Sequence, residues 1–398
     1  MILTSLALAV LPQIPAEESK ALEGMQKSLQ WLLENQEGNG AWGHWREPEA
    51  DSWTNPETQL SWQVATTGIG TLALSDLLER SFLLGQEPSG EILQAWRRSL
   101  DYIFSNANVR RPSDWDTDHT WALVYGLAAL TRAAQHEAWG LPADPSLQKK
   151  IHATGAKLIE RLWKYQTGLG GWAYYADETH AARPHWTTSF QTAVAVLGLL
   201  EARELGWKIK EDRLALAVEA IRRTRLPNGA YAYSVSLYPN PGDLDDINQT
   251  KGSLSRIQVC NLALYLAAKA GVGSDQQPQV GLEEMAEGLR LFFHEHRFLD
   301  AASGRPMPHE AWYANSGYFY FFGHYYAAGV LNLLKPDQRA HFRPKLWHET
   351  LKQQAKDGSL IDFKMNSYGK PYGTAYAISV LARTIPVRPE PPSSTQNP

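Results

Sequence analysis

Four stretches of this chain share one spacing: a polar residue, three more, a glycine, one more, then a large apolar residue. They run from Gln36 to Trp42, Gln166 to Trp172, Arg225 to Tyr231 and Gln354 to Leu360, around Gly40, Gly170, Gly229 and Gly358. Self-similarity at a period of tens of residues marks a repeat architecture, in which each unit buries its apolar face only against its neighbours. The first copy is the fullest and follows a helical run, Lys27-Ser-Leu-Gln-Trp31-Leu-Leu-Glu-Asn-Gln36. The spacing predicts that the glycine supplies a left-handed helix stop. The ring after it then folds back on the helix end, with the glutamine bonded to carbonyls that the helix leaves free.

Between these copies, segments of helical periodicity alternate in character. Amphipathic, charged segments lie near 17–36, 89–105, 146–166, 209–225, 281–297 and 337–355. Apolar segments rich in small residues lie near 58–80, 118–137, 187–205, 255–271, 317–334 and 373–384. An amphipathic helix covers an outside surface, whereas a helix apolar nearly all round is buried on both sides. Six outer–inner pairs predict an all-α fold, a single (α/α)6 toroid over 17–386. The long outer-to-inner loops then gather at the end where the inner helices begin, and long loops on a rigid scaffold are where function concentrates.

The 15 Trp and 17 Tyr require a large core or an aromatic-lined cavity. A net charge of -4 leaves no electrostatic footprint for nucleic acid. One cysteine, Cys260, excludes an internal disulfide and a cysteine-rich zinc site, and in Val259-Cys-Asn-Leu it reads as a core residue. The acidic loop 243–246 lacks a calcium-loop pattern, so no metal and no cofactor are expected. The apolar N-terminus, Met1 to Leu11, is too short to span a bilayer. With Pro12, Pro15 and Ala16 behind it, it predicts a signal peptide over 1–16 and a secreted or periplasmic protein. The proline- and serine-rich tail, 387–398, is expected to be disordered.

The glutamine–glycine–tryptophan spacing and the six helix pairs resemble the terpenoid cyclase and protein prenyltransferase toroid superfamily over about 20–385. Gln36-Glu-Gly-Asn-Gly-Ala-Trp42 is similar to the QW motif of squalene cyclases, and Thr187 to Glu201 to inner-helix starts common in that group. Trp115-Asp116-Thr-Asp118-His119-Thr120 resembles the Asp-x-Asp-Asp-Thr acid motif of class II terpene cyclases, with His119 in the fourth position. The resemblance implies Asp118 as the acid that protonates an alkene or epoxide, Asp116 as its partner, and aromatic faces that stabilise the carbocation. A carboxyl serving so must stay protonated, which burial and a neighbouring carboxylate favour. His119, when neutral, could accept or relay the proton. Asp118 also suits the N-cap of the helix that follows. Prenyltransferases bind zinc through Asp-x-Cys, but here Gln258 stands two before Cys260.

Other side chains are expected at the same mouth. Tyr320 and His324 share a helix face at i, i+4, either as an acid–base pair or as a core histidine bonded to a hydroxyl. Trp115, His185, Trp186 and Arg256 also lie at inner-helix starts and, with Tyr320, are expected to bind ligand, while Asp116, Asp118, His119 and His324 carry the chemistry. The leading reading is a hydrophobic, isoprenoid-type ligand with possible acid-initiated cyclisation. The alternatives are a polysaccharide lyase or hydrolase type of toroid acting on glycans through His/Tyr or carboxylate pairs, and a non-catalytic scaffold. A closed apolar pocket favours the first, an open groove with stacked Trp the second, and a filled centre the third.

Overall fold

The computed structural model describes residues 14–43, 56–111, 114–176, 184–237, 245–273, 280–364 and 369–388. Outer and inner helices alternate along it, the outer member of each pair first. The pairs are α1 (Ala16–Glu34) with α2 (Pro56–Leu83), α3 (Gly90–Asn106) with α4 (Thr120–Ala133), and α5 (Pro145–Tyr165) with α6 (Ser189–Glu204). Then follow α7 (Glu211–Thr224) with α8 (Leu254–Lys269), α9 (Leu282–His294) with α11 (Phe319–Leu333) after the short α10 (Arg297–Ala302), and α12 (Pro336–Leu351) with α13 (Gly369–Thr384). Residues 1–13 of the expected signal peptide, 243–244 of the acidic loop and 389–398 of the tail lie outside the described residues. Among the described residues no helix is long and apolar enough to cross a membrane.

Periodicity produces the two layers. Outer α7 buries Leu214, Ala217, Val218 and Ile221, one stripe at helical spacing. Inner α8 is buried without a break from Leu254 to Leu264, Cys260 included, because it has a helix layer on one side and the ring interior on the other. The inner helices pack in the order α2, α4, α6, α8, α11, α13, and α13 packs back on α2, which closes the toroid. The one sheet among the described residues is small: β1 (Trp186–Thr188) pairs antiparallel with β2 (Ser234–Ser236), joining two mouth loops. It takes up the first residues of the segment expected as helix from 187 on.

The repeated glycines lie past the helix ends, which corrects the expectation of a helix stop. Helix α1 ends at Glu34, and Gly40 takes a φ of 90° in the turn beyond it. The two Trp rings do fold back, since Nε1–H of Trp42 donates to the Leu32 carbonyl at 2.8 Å and that of Trp172 to the Leu162 carbonyl at 2.7 Å, whereas Tyr231 Oη donates to Asn261 of α8 at 2.7 Å. The glutamines bond not the carbonyls of their own helix end, as expected, but that of the glycine in the turn beyond it and one on a neighbouring helix. Gln36 donates to the Ala95 carbonyl on α3 at 2.9 Å, Gln166 to the Arg213 carbonyl on α7 at 2.9 Å, and Gln354 to the Gly24 carbonyl on α1 at 2.8 Å. Each thereby ties one outer helix to the next, and Gln354 ties the last to the first.

The glycines permit this approach. A Cβ on Gly358 would collide with the Lys27 carbonyl of α1, whereas one on Gly229 would meet open space. Both have positive φ, 88° and 82°. Replacing Gly229 by Ala therefore incurs the left-handed backbone cost alone, about 1–2 kcal/mol. Gly358→Ala adds the collision and is expected to be destabilised by roughly 2 kcal/mol more. Urea unfolding of the two variants measures the difference, and equal losses would show that the α12–α1 contact does not depend on the glycine.

Candidate active site

Aromatic side chains in the N-terminal halves of five inner helices, all but α8, face one another across the ring and line a cavity of about 180 Å³. Helix α2 contributes Trp62 and Ile69, α4 contributes Trp121 and Tyr125, and α6 contributes Phe190. Phe319 and Phe322 come from α11, Tyr372 and Tyr376 from α13. Loops add Asp118, Tyr174, Tyr233, His309, Tyr318 and Phe363. The rings pack mostly edge to face, as at Phe190 and Phe319, whose centroids are 5.1 Å apart. Trp62 and Trp121 stack at 6.1 Å.

Asp118 supplies the one carboxyl on this wall among the described residues. It is not a helix cap: His119 occupies the N-cap of α4, and no side chain bonds there as a cap. The turn is held by Asp116 instead, whose Oδ1 accepts the Asp118 N–H at 3.1 Å and whose Oδ2 accepts the Ser61 hydroxyl at 3.2 Å. Arg111 Nε donates to the Asp116 carbonyl at 2.8 Å. Asp118 Oδ2 accepts Nε1–H of Trp62 at 3.4 Å. Removal from bulk water pushes the Asp118 carboxyl up to about 6, with the Trp62 bond opposing and the Asp116 carboxyl adding to the rise. Burial likewise pushes Asp116 up to about 6 against the bonds it accepts.

The other expected site residues do not share the cavity. Asp116 is fully buried behind Asp118 and positions it. His119 turns outward, its ring edge-on to Tyr165 of α5 at 5.2 Å. Trp115 is 71% exposed, His185 is exposed, and Trp186 stands edge-on to Tyr174 at 5.4 Å outside the lining. Arg256 is buried behind the wall, with Nε donating to the Tyr231 carbonyl at 3.2 Å and the guanidinium 5.5 Å from the Tyr233 and Phe319 ring centres. Tyr320 and His324 point to the outer layer: Tyr320 Oη donates to the Glu349 carbonyl at 2.7 Å, and His324 Nε2 lies 3.2 Å from Nε2 of His296.

Helix geometry explains the Tyr320 and His324 correction. Tyr318 and Phe322 have the same i, i+4 spacing but stand two residues earlier, about 200° around the helix. The spacing identifies a face without saying which face looks inward. Beyond His324, His296 Nδ1, Asp300 and Glu349 come together with metal-ligand spacing. The Lys352 ammonium already bonds both carboxylates, 2.6 Å from Asp300, so the group is an ion-paired tie between α10 and α12.

His309 is the lining residue that sequence reasoning missed most clearly. It sits in the loop before α11 with a φ of 61°, and Tyr313 and Ala314 also have positive φ. Its Nε2 lies 3.0 Å from Tyr318 Oη. Three residues other than glycine held left-handed in one loop mark backbone that its surroundings fix against strain. No local sequence signal announces it.

Comparison with family models finds no match, and comparison with curated proteins finds none. Solved structures do match over nearly the whole chain. A type II terpene cyclase from Scytonema, in complex with geranylgeranyl dihydroxybenzoate, is 14% identical, with a TM-score of 0.51 over 94% of this chain and 100% of the other. An α-1,6-mannanase from Salegentibacter sp. HEL1_6, in complex with α-1,6-mannotetrose, is 14% identical, with a TM-score of 0.59 over 93% and 99%. The unsaturated glucuronyl hydrolase of Bacillus sp. GL1 is 11% identical, with a TM-score of 0.57 over 92% and 96%. This chain has the α/α-toroid fold that a type II terpene cyclase shares with these glycoside hydrolases.

Proposed function

We propose that the protein binds an isoprenoid-type molecule in the aromatic cavity and starts its cyclisation with Asp118 as the proton donor. One observation carries this reading: Asp118, raised to about 6 by burial, supplies the one carboxyl among the described residues on a wall built mostly of aromatic rings. A carboxyl protonated in an apolar site can deliver its proton to a carbon–carbon double bond, and the negative faces of the surrounding rings stabilise the cation that results. Among the described residues the lining surface is mostly ring faces, and the Tyr174, Tyr233 and Tyr318 hydroxyls are engaged with one another and with His309, which disfavours a glycan. A dry cavity of about 150 Å³ accommodates one benzene ring. The 180 Å³ therefore suits one or two isoprene units, with the rest of a longer chain in the mouth.

Incubation with isoprenoids of increasing length tests this, with binding read from Trp fluorescence and products by gas chromatography and mass spectrometry. Quenching, expected through Trp62 and Trp121, together with a cyclic product supports the reading. The His309–Tyr318 contact favours a second one, acid–base cleavage of a glycan. Release of sugars from oligosaccharides, with no isoprenoid bound, would replace the first reading by the second.

A further inference from the structure

From Tyr174 a line of hydroxyls crosses the cavity wall and ends on His309. Tyr174 Oη is hydrogen-bonded to Tyr233 Oη, Tyr233 Oη lies 3.1 Å from Tyr318 Oη, and Tyr318 Oη lies 3.0 Å from His309 Nε2. The other end of the imidazole sets the direction. His309 Nδ1 is 2.7 Å from the Ala314 carbonyl, which can only accept, so Nδ1 carries the hydrogen. In the neutral ring Nε2 is then a bare acceptor, Tyr318 donates to it, Tyr233 donates to Tyr318, and Tyr174 donates to Tyr233. The Ser316 hydroxyl fixes the loop by accepting the His309 N–H at 2.7 Å.

We propose that His309 is the proton acceptor that ends the reaction, reached through Tyr318, Tyr233 and Tyr174. The role rests on the cyclase reading. Protonation by Asp118 makes a cation that must lose a proton to become an alkene. The C–H bond beside the terminal cation breaks, its electron pair forms the new double bond, and the proton goes to Tyr174 Oη. Tyr174 passes its own hydroxyl proton to Tyr233, Tyr233 to Tyr318, and Tyr318 to His309 Nε2. One proton has entered from Asp118 and one has left to His309, so substrate and product are isomers. Water then reprotonates the Asp118 carboxylate and removes the proton from the imidazolium. That last step is easy, because burial and then the nearby Arg256 charge hold His309 below its ordinary value, against the Ala314 bond.

Two measurements on the full chain test it. Nitrogen-15 NMR of histidine-labelled protein is expected to show His309 with Nδ1 protonated and Nε2 bare, and Tyr318→Phe should move the Nε2 resonance. A His309 protonated at Nε2 would overturn the inference whatever the substrate is. In turnover with an isoprenoid alcohol, His309→Gln keeps an acceptor for Tyr318 but cannot hold a proton. Its kcat is expected to fall about 100-fold with KM little changed, and its product to shift from the cyclic alkenol, an isomer of the substrate, to the water-quenched cyclic diol. The same alkenol at the same kcat in His309→Gln overturns the role. Asp118→Asn separates the two readings: a wild type with no Asp118-dependent product sinks the cyclase reading and this role with it. Dependence on Asp118 but not on His309 sinks the role alone.

Discussion

Asp118→Asn is expected to abolish isoprenoid turnover, by at least about 1,000-fold in kcat, while ligand still binds. Asparagine keeps the size of the side chain and can still accept from Nε1–H of Trp62, but it has no proton to give. The pH dependence has a definite sign. The carboxyl is raised to about 6 by burial, and the protonated form is the competent one. Activity should therefore fall tenfold per pH unit above about 6, and fall again on the acid side once His309, held below its ordinary value by burial, takes up a proton. Linkage supplies a control. A carboxyl that binds its proton more tightly folded than unfolded, where its value is about 3.9, stabilises the fold at low pH and loses that contribution as pH rises through 6. The Asp118→Asn variant, neutral at that position, lacks this loss, so its stability relative to wild type should improve between pH 4 and pH 7. Urea unfolding at the two values checks this, and an inactive variant that has merely unfolded would show no transition at either.

The toroid was legible because it is periodic. All six outer and six inner segments appear as helices with ends displaced by a few residues, since the stripe on α7 and the unbroken apolar run on α8 report their layer directly. The repeats were legible as spacing and in the fold-back of Trp42 and Trp172, but not in the glutamine contacts, because Gln36, Gln166 and Gln354 reach other outer helices. The site was legible only at Asp118. Choosing residues by their chemistry selected His119, His324 and Arg256, which lie behind the wall, and passed over the rings that form it. Trp121 with Tyr125 and Tyr372 with Tyr376 carry an i, i+4 signal in the N-terminal halves of inner helices. A search for aromatic faces there would have found the cavity. His309 has no such signal, because a left-handed histidine in a loop is placed by its surroundings.

The second large effect is expected at the opposite end of the ring. Asp76 of α2 is almost wholly buried and ties two cations: its Oδ1 lies 3.0 Å from Arg132 Nη2 of α4, and its Oδ2 lies 3.2 Å from Arg383 Nε of α13. Glu79 also pairs with Arg132, and the Arg383 guanidinium lies 4.9 Å from the centre of the Tyr325 ring. Tyr325 packs on Tyr376, at 5.1 Å between ring centres, and Tyr376 Oη donates to Tyr125 Oη at the cavity wall. The network thus joins α2, α4 and α13 where the ring closes, and it backs the floor of the cavity. Removing one member of a buried ion pair leaves the partner charge uncompensated and costs about 3–5 kcal/mol. Asp76→Ala takes the carboxylate from Arg383 and leaves Arg132 with Glu79 alone, the two cations close enough to repel each other, and is expected to fall within that range by urea unfolding. Asp76→Asn retains hydrogen-bond acceptance and should lose less. If Asp76→Ala unfolds within about 1 kcal/mol of wild type, packing alone closes the ring. If it is destabilised as expected but also binds isoprenoids more weakly with Asp118 intact, the floor depends on this buried charge.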